Sequence, residues 1–275
     1  MSIFNVSRLQ NKTVLITGAS GGIGEATAIL FAKAGSNLIL LARRADALQN
    51  VAKACEDARK QSGVQTGGKV ATVQLDVSDR AQVAALWDKV PQDLRNVDIL
   101  VNNAGFVLGL ERVGDISDDD IDAMFSTNVY GLISMTQLLI KHFKARQAGH
   151  VINLGSIAGV EPYAGGSIYC ATKHAVRAFG SALLREVVNT PIRVTEIQPG
   201  MVETGFSVVR FRGDKSAADK VYEGLQPLVA EDIAEEIVWA ASRPPHVNIA
   251  EMLVFPVNQA SATLNYREPI QSKKQ

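Results

Sequence analysis

Short runs of apolar residues alternate along the chain with longer segments in which apolar residues recur every three or four positions. Seven runs have the length and composition of buried strands, and they cover residues 14–16, 38–41, 70–75, 98–101, 150–154, 193–198 and 252–257. Continuous apolar strands separated by amphipathic helices are typical of parallel sheets that are covered on both faces. The pattern therefore predicts an α/β protein with a doubly wound parallel sheet of about seven strands and helices on both faces.

The longest helical pattern begins after Ser117, which can cap a helix whose first turn carries three aspartates, residues 118–120. Its predicted apolar stripe consists of Ile121, Phe125, Leu132 and Leu139. Asn128 falls within this stripe, so it is either a core asparagine with satisfied hydrogen bonds or part of a site. The opposite face carries further apolar residues, namely Ile133, Met135 and Leu138. We interpret this second face as a subunit contact.

The first strand ends at a glycine cluster, Gly18, Gly22 and Gly24, where a helical pattern begins. Glycines permit a sharp turn, the close approach of a ligand and the close packing of a helix on a strand. The start of a helix also has unpaired N–H groups and a positive dipole end, which attract a diphosphate. A glycine triplet alone also occurs in turns that bind nothing, but here strands stand on both sides at the right distance. The stretch predicts a Rossmann-type dinucleotide site.

The end of the second strand indicates which dinucleotide is bound. An acid about twenty residues after the glycines usually accepts the ribose hydroxyls of NAD. Here that position holds Arg43 and Arg44, and the next acid is Asp46. Two guanidiniums suit a 2′-phosphate, which they can bind through forked, charge-assisted hydrogen bonds. A solvated basic turn is the alternative, but the pattern favours NADP.

Polar residues also follow the third and fourth strands, where open α/β sheets bind ligands. Asp76 could accept a hydrogen bond from an adenine amino group, or it could simply form a turn. Asn102 and Asn103 could tie neighbouring strand ends together or contact the cofactor ribose. The residues alone leave both alternatives open.

A third group of polar residues follows the fifth strand. Tyr169 and Lys173 are four residues apart at the start of a helical pattern, so they share one helical face. An ammonium beside a phenol favours the phenolate and lowers the phenol pKa from about 10, so the phenol can exchange a proton with a substrate oxygen. Ser156, at the end of the strand, can hold that oxygen. A Tyr-x-x-x-Lys pair is common and usually structural, so it indicates a catalytic role only together with the motifs around it.

The composition excludes several classes of protein. The 275 residues are 47% hydrophobic, which is enough for a large core, and 28 basic residues balance 28 acidic ones. A net charge of zero gives no support for a nucleic-acid or membrane partner. Cys55 and Cys170 are far apart and lack metal-ligand spacing, so we expect no metal and a reducing compartment. Without a signal peptide, a long apolar run, an internal repeat or a linker, the chain is expected to be a single cytoplasmic domain, residues 1–275.

Taken together, the motifs identify the chain as a member of the short-chain dehydrogenase/reductase family. They stand in the order and spacing of that family across roughly residues 12–257, and they are residues 17–24, Asn102-Asn103-Ala104-Gly105, Asn128, Ser156, Tyr169-x-x-x-Lys173 and Pro199-Gly200. The resemblance implies homo-oligomers, commonly tetramers. The small and apolar residues of the helical segment after Tyr169 (Ala171, Ala175, Val176, Ala178, Phe179 and Ala182) could form such a contact.

The resemblance also implies a role for each site residue. Tyr169 would be the general acid/base and Ser156 the ligand of the substrate oxygen. Lys173 would bind the nicotinamide ribose and tune Tyr169, and Asn128 would anchor a proton-relay water. The implied cofactor site combines the three glycines and two arginines above with Ser20, Ile23, Asp76, Asn103, Val202 and Thr204, together with Tyr169 and Lys173.

Four segments resemble the fungal NADP-dependent 3-hydroxy acid dehydrogenases in particular: residues 155–159, 166–171, 202–213 and 255–260. This narrower resemblance implies oxidation of a small 3-hydroxy acid, such as serine, L-allo-threonine or 3-hydroxypropionate, or reduction of the 3-oxo acid, such as malonic semialdehyde. Reduction of a bulkier ketone or diketone is one alternative. A catalytically silent NADP-binding regulator is another, although the intact catalytic set argues against it.

Residues 201–227 have weak periodicity and mixed charge, as a mobile lid over the ligand crevice would have. A substrate carboxylate needs a cation or several hydrogen-bond donors, and Arg210 and Arg212 are the candidates within this segment. Both could instead face water. If the segment is extended, at most one of them is expected to face inward, because alternate residues point opposite ways.

Overall fold

The computed structural model describes residues 5–268, in which seven strands form one parallel sheet. The strands are β1 (Thr13–Thr17), β2 (Asn37–Ala42), β3 (Val70–Gln74), β4 (Ile99–Asn102), β5 (Gly149–Leu154), β6 (Ile192–Pro199) and β7 (Glu251–Val254). Their order across the sheet is β3-β2-β1-β4-β5-β6-β7, and each neighbouring pair is parallel. The predicted doubly wound α/β fold is confirmed.

Ten α-helices connect the strands or cover the sheet in this part of the chain: α1 (Gly22–Lys33), α2 (Ala45–Ser62), α3 (Arg80–Ala84), α4 (Leu86–Lys89), α5 (Asp118–Phe125), α6 (Leu132–Arg146), α7 (Ser167–Glu186), α8 (Phe206–Arg210), α9 (Lys215–Lys220) and α10 (Ala230–Ala241). Helices α1, α2 and α10 pack on one face of the sheet. Helices α4, α6 and α7 pack on the other face. Within residues 5–268, no helix has both the length and the hydrophobicity of a membrane-spanning segment.

The strand order places a crevice at the centre of the molecule. From β1 the chain builds outward through β2 and β3, and it then returns to the other side of β1 to add β4. The connections after β1 and β4 therefore leave in opposite directions, which opens a space at the carboxyl ends of these two strands. This is where the predicted glycine cluster and the two asparagines lie.

The long helix after Ser117 differs from the prediction. Ser117 caps α5 through a hydrogen bond from the Asp120 N–H, as expected, but residues Ser126–Gly131 form a π-helical segment between α5 and α6. A π turn contains an extra residue, so it changes which side chains share a face across it. Met124 therefore joins Leu132 and Leu139 in the core, whereas Ile121 and Phe125 are only half-buried. Met135, expected on the outer face, is fully buried.

Two segments near the end also differ. The last strand ends at Val254 rather than at residue 257, because the chain turns at Pro256, which has no N–H to donate to a neighbouring strand. The lid segment carries two short helices, α8 and α9. The segment is therefore not extended, and the argument that Arg210 and Arg212 alternate between its two sides does not apply.

Candidate active site

A cleft of about 970 Å³ opens at the carboxyl ends of the strands. It brings together most residues of the predicted site: Gly18, Ser20, Gly22, Ile23, Arg43, Arg44, Asp76, Asn103, Ser156, Tyr169, Lys173, Val202 and Thr204. Gly24 and Asn128 lie behind its wall. Residues distributed over nearly 200 positions of the chain thus converge on one cavity, with the glycine cluster at one end and Tyr169 at the other.

The turn between β1 and α1 fits a dinucleotide. Gly18 has a positive φ of 66°, and a Cβ there would lie 2.9 Å from the Ala104 Cα, so only glycine suits this position. A Cβ on Gly24 would collide with the Gly18 carbonyl oxygen, so this glycine lets α1 begin close to the strand. No side chain caps α1. Its free N–H groups can therefore bind a diphosphate at the cleft.

The two arginines after β2 lie beside this turn. Arg44 donates through Nη2 to the Ser20 backbone oxygen, at 3.0 Å, and to the Ser20 hydroxyl, at 3.2 Å. Arg43 is exposed and also lines the cleft. Two guanidiniums next to the glycine turn suit a phosphate on the adenosine ribose.

The polar residues after β3 and β4 have structural partners. Asn102 is buried and donates to Thr136 and Asn153, so it ties neighbouring elements together rather than contacting a ligand. Asn103 donates to the carbonyls of Thr17 and Gly18, at 2.9 and 3.1 Å, and it also faces the cleft. Asn103 can therefore hold the glycine turn in shape and still contact a ligand.

Asp76 likewise has two aspects. Its Oδ1 accepts hydrogen bonds from the Ser78 N–H and hydroxyl, as a turn former would, at 2.9 and 2.7 Å. The same residue lines the cleft, as the two arginines and Asn103 do. The turn is thus built by one oxygen, and both alternatives for Asp76 are compatible with the structure.

Ser156, Tyr169 and Lys173 converge at the other end of the cleft. Ser156 follows β5 in extended backbone, and its Oγ accepts the Ala158 N–H at 3.1 Å. Tyr169 and Lys173 lie on the first turns of α7 and are both buried. The Lys173 Nζ donates to the Leu154 carbonyl at 2.7 Å and lies 5.8 Å from the centre of the Tyr169 ring.

The protonation of Tyr169 differs from the expectation. Burial is the largest influence and raises the pKa of Tyr169 well above 10, the neighbouring Tyr163 adds to this rise, and the Ser156 hydroxyl acts in the opposite direction. Burial also lowers the pKa of Lys173 to about 8. The expectation that Lys173 lowers the phenol pKa toward neutrality is not met in this arrangement, because burial raises that pKa and Lys173 is not among the groups that shift it. Tyr169 is a protonated phenol at neutral pH.

Asn128 lies in the π-helical segment with its amide fully occupied. Its Oδ1 accepts the Phe106 N–H at 3.0 Å, and its Nδ2 donates to the Phe106 carbonyl at 2.8 Å and to Thr172 at 3.2 Å. The side chain thus fastens the loop after β4 to the long helix and to α7. This geometry describes a satisfied core asparagine, and the relay-water role stays a prediction.

The lid separates the two candidate arginines. Arg210 lines the cleft, donates to the carbonyls of Gly109 and Gly165 at 3.2 and 3.1 Å, and lies 5.6 Å from the Tyr163 ring centre. Arg212 instead forms an ion pair with Asp120 of α5, at 2.5 Å, and this contact lowers the pKa of the Asp120 carboxyl. Arg210 is therefore the inward residue.

Several residues around Tyr169 were not predicted from the sequence. Phe206 of α8 packs edge-to-face on the Tyr169 ring, with ring centres 5.7 Å apart, and the cleft is further lined by Tyr163, Ser207, Tyr222 and Gln259. Tyr222 and Gln259 tie this wall together, because the Tyr222 hydroxyl donates to the Val202 carbonyl and Gln259 accepts the Met201 N–H. Tyr222 and Gln259 lie in loops without hydrophobic periodicity, so no local sequence pattern indicates that they reach the cleft.

Comparisons with known proteins agree with this geometry. Residues 12–214 match the family model described as short chain dehydrogenase. An NADP-dependent 3-hydroxy acid dehydrogenase of Schizosaccharomyces pombe is 46% identical over 264 residues, 96% of this chain and 99% of that protein. A serine 3-dehydrogenase of Agrobacterium fabrum is 38% identical over 257 residues, 93% of this chain and 98% of that protein. The closed form of a serine dehydrogenase complexed with NADP+ superposes with a TM-score of 0.85 at 39% identity, covering 94% of this chain and 100% of that one.

Proposed function

The chain belongs to the short-chain dehydrogenase family, and on that premise we propose that it is an NADP-dependent oxidoreductase of small 3-hydroxy acids. It interconverts a 3-hydroxy acid and the 3-oxo acid. The observation that carries the proposal is the presence of Ser156, Tyr169 and Lys173 in the same cleft as the glycine turn and the two arginines. The names of the relatives point to the same chemistry.

The cofactor half of the cleft would hold NADP through the α1 N-terminus, Arg43 and Arg44. The bound cofactor would supply the hydride for reduction as NADPH or accept it in oxidation as NADP+. Ser20, Ile23, Asp76, Asn103, Val202 and Thr204 would complete the contacts along the cleft. Thr204 faces the glycine turn from the far wall, since a Cβ on Gly22 would lie 3.6 Å from the Thr204 Cβ.

The chain itself moves the proton. In reduction, the Tyr169 hydroxyl donates its proton to the substrate carbonyl oxygen, which becomes the alcohol oxygen, while Ser156 holds that oxygen in place. The high pKa of Tyr169 suits this acid role, because the phenol is protonated at neutral pH. The Lys173 ammonium stabilises the phenolate that remains. In oxidation the same proton returns from the alcohol to Tyr169.

Arg210 supports an acid as the substrate. It is the arginine of the lid that lines the cleft, and it lies 5.6 Å from the centre of the Tyr163 ring, whereas Arg43 and Arg44 lie beside the glycine turn. Two of its N–H groups bind backbone carbonyls, which fixes the guanidinium and leaves other donors for a carboxylate. A bulkier ketone has no use for this charge.

The assembly and setting are further parts of the proposal. We propose a homo-oligomer, most simply a tetramer, because α7 exposes small side chains at Ala171, Ala178 and Ala182, over which a second helix can pack closely. Ile133 and Leu138 of α6 are half-buried and could add to such a contact. A single domain and a cytoplasmic location remain our expectations from the sequence.

A substrate panel tests the proposed function. We would measure NADP and NAD reduction with 3-hydroxypropionate, 3-hydroxybutyrate, 3-hydroxyisobutyrate, serine, L-allo-threonine and neutral secondary alcohols. The proposal predicts that kcat/KM with NADP is highest for the hydroxy acids. A preference for neutral alcohols would favour the bulkier-carbonyl alternative, and binding of NADPH without turnover of any substrate would favour the silent regulator.

A further inference from the structure

A buried carboxylate, Glu196 of β6, lies near the catalytic lysine, and the mechanism above does not use it. Glu196 stands in the middle of β6, where its neighbours along the strand include Val194, Thr195 and Ile197. It is only 4% exposed. Burying a carboxylate costs free energy unless polar or positive groups surround it. The residues around Glu196 therefore indicate what it is for.

Two glycines make room for this carboxylate next to Lys173. Gly180 lies two helical turns after Lys173 on the buried face of α7, and a Cβ there would lie 3.7 Å from a Glu196 oxygen. A Cβ on Gly155 would collide with the other carboxylate oxygen. Gly155 directly follows Leu154, whose carbonyl accepts the hydrogen bond from Lys173. The carboxylate and the ammonium thus lie around the same peptide.

Glu196 is part of a row of polar residues across three neighbouring strands. Asn102 of β4, Asn153 of β5 and Glu196 of β6 are in register on adjacent strands. Asn153 accepts a hydrogen bond from Asn102, and its Nδ2 is buried without a partner among residues 5–268. This Nδ2 would lie 3.1 Å from a Gly180 Cβ, on the same side as the Glu196 oxygen. Gln198 donates to the Glu196 carboxylate at 3.2 Å.

The charges of Lys173 and Glu196 stabilise each other. Burial lowers the pKa of Lys173 to about 8, and Glu196 acts in the opposite direction. Burial likewise raises the pKa of Glu196 and Glu251 adds to this, while Gln198, Lys173 and Arg177 hold it down. The titratable groups that face Lys173 are Tyr169 from its own helix and Glu196 from β6, whereas the π-helical segment contributes the neutral Asn128.

We propose that Glu196 is a positioning residue for the catalytic lysine, whose buried carboxylate keeps the Lys173 ammonium charged beside Tyr169. The proposal rests on the proposed function, in which that ammonium stabilises the phenolate. Because Glu196 touches neither the cleft nor the reacting atoms, it acts through Lys173 alone.

The test replaces the charge and keeps the shape. In Glu196→Gln, Lys173 should lose its proton at lower pH, so the alkaline limb of kcat/KM for carbonyl reduction should move down by about one pH unit. Because the Lys173 pKa would fall from about 8 to about 7, the loss should be about fivefold at pH 8 and approach about tenfold at higher pH. Glu196→Asp keeps the charge and should return the limb toward its original position. If the glutamine variant does not fold, Glu196→Met, which also lacks the charge and has a similar length, takes its place.

Glu251→Gln is the matched control, because Glu251 is the next residue of the same row on β7 but is exposed and paired with Arg177 at 3.0 Å. Glu251 acts on Glu196 but not on Lys173, so its replacement should leave the alkaline limb of kcat/KM unchanged. An equal shift in Glu251→Gln, or an unshifted limb in Glu196→Gln, would overturn the proposal.

A second readout separates this proposal from the proposed function. Titration of 13C-labelled lysines by NMR, with the Lys173 signal assigned by its loss in Lys173→Met, reports the Lys173 pKa without any substrate. We expect a lower Lys173 pKa in Glu196→Gln than in the wild type. An unchanged value would overturn the proposal whether or not the enzyme accepts 3-hydroxy acids.

Discussion

At the scale of single residues, the proposed chemistry depends on the protonation of two buried groups. Tyr169 keeps its proton because burial disfavours the phenolate, and Lys173 titrates near 8 because burial disfavours its ammonium. Between about pH 6 and 7.5, Tyr169 is therefore protonated and Lys173 is mostly charged. In this range Tyr169 can therefore donate a proton, whereas only a small fraction of it is the phenolate that can accept one.

This arrangement predicts opposite pH profiles for the two directions. Reduction needs the protonated phenol and the charged lysine, so its kcat/KM should be nearly flat from pH 6 to about 7.5 and fall above 8. Oxidation needs the phenolate, so its kcat/KM should rise by up to about tenfold per pH unit between pH 6 and 8. Initial rates at saturating cofactor check both profiles. Oxidation that is independent of pH over this range would contradict the assignment of Tyr169 as the base.

The two arginines at the cofactor end give a second prediction. Replacing Arg43 and Arg44 with glutamines should raise KM for NADP at least tenfold, since each charge-assisted contact contributes about 1.5–3 kcal/mol. KM for NAD should change little, because NAD has no 2′-phosphate. Arg44 also binds Ser20, so unchanged NAD kinetics would exclude a collapse of the turn. An unchanged preference for NADP would mean that other residues bind the phosphate.

At the scale of elements, the sequence predicted the strands better than the segments that enclose the substrate. The central strands β1, β2 and β4 are nearly continuous apolar runs with a turn residue after each, so their burial identifies them, whereas β5 and β6 also carry buried polar residues such as Asn153 and Glu196. The predicted apolar face of the helix around Asn128 is wrong, because the spacing of apolar residues does not reveal a π turn. Tyr163, Tyr222 and Gln259 reach the cleft only through tertiary contacts between loops, which no local pattern reports.

The lid yields a prediction with a built-in control. Arg210→Ala should raise KM for carboxylate substrates at least tenfold and spare a neutral ketone, because only the former use the guanidinium. Arg212→Ala removes the ion pair to Asp120 that fastens the same segment to α5, so it should affect both kinds of substrate alike. Steady-state kinetics on an acid and a ketone compare the two variants. Equal losses from Arg210→Ala on both substrates would assign Arg210 to lid folding.

At the scale of the whole molecule, a sheet covered on both faces leaves the outer surfaces of α6 and α7 for contact with other copies. We expect light scattering to give about four times the chain mass of 29.5 kDa. Ala178→Arg, on the exposed face of α7, should reduce that mass, whereas Ala84→Arg, on the exposed face of α3, should not. A wild-type mass equal to one chain would contradict the oligomer.

The whole account depends on one hydroxyl group acting on a 3-hydroxy acid in a cleft that binds NADP. Tyr169→Phe removes this hydroxyl and keeps the ring that packs on Phe206. The most direct measurement is kcat for NADP-dependent oxidation of 3-hydroxypropionate by this variant, together with its affinity for NADPH by fluorescence. We predict that kcat falls by about 10²–10⁴-fold while NADPH still binds. A variant that keeps half of the wild-type kcat would contradict the account.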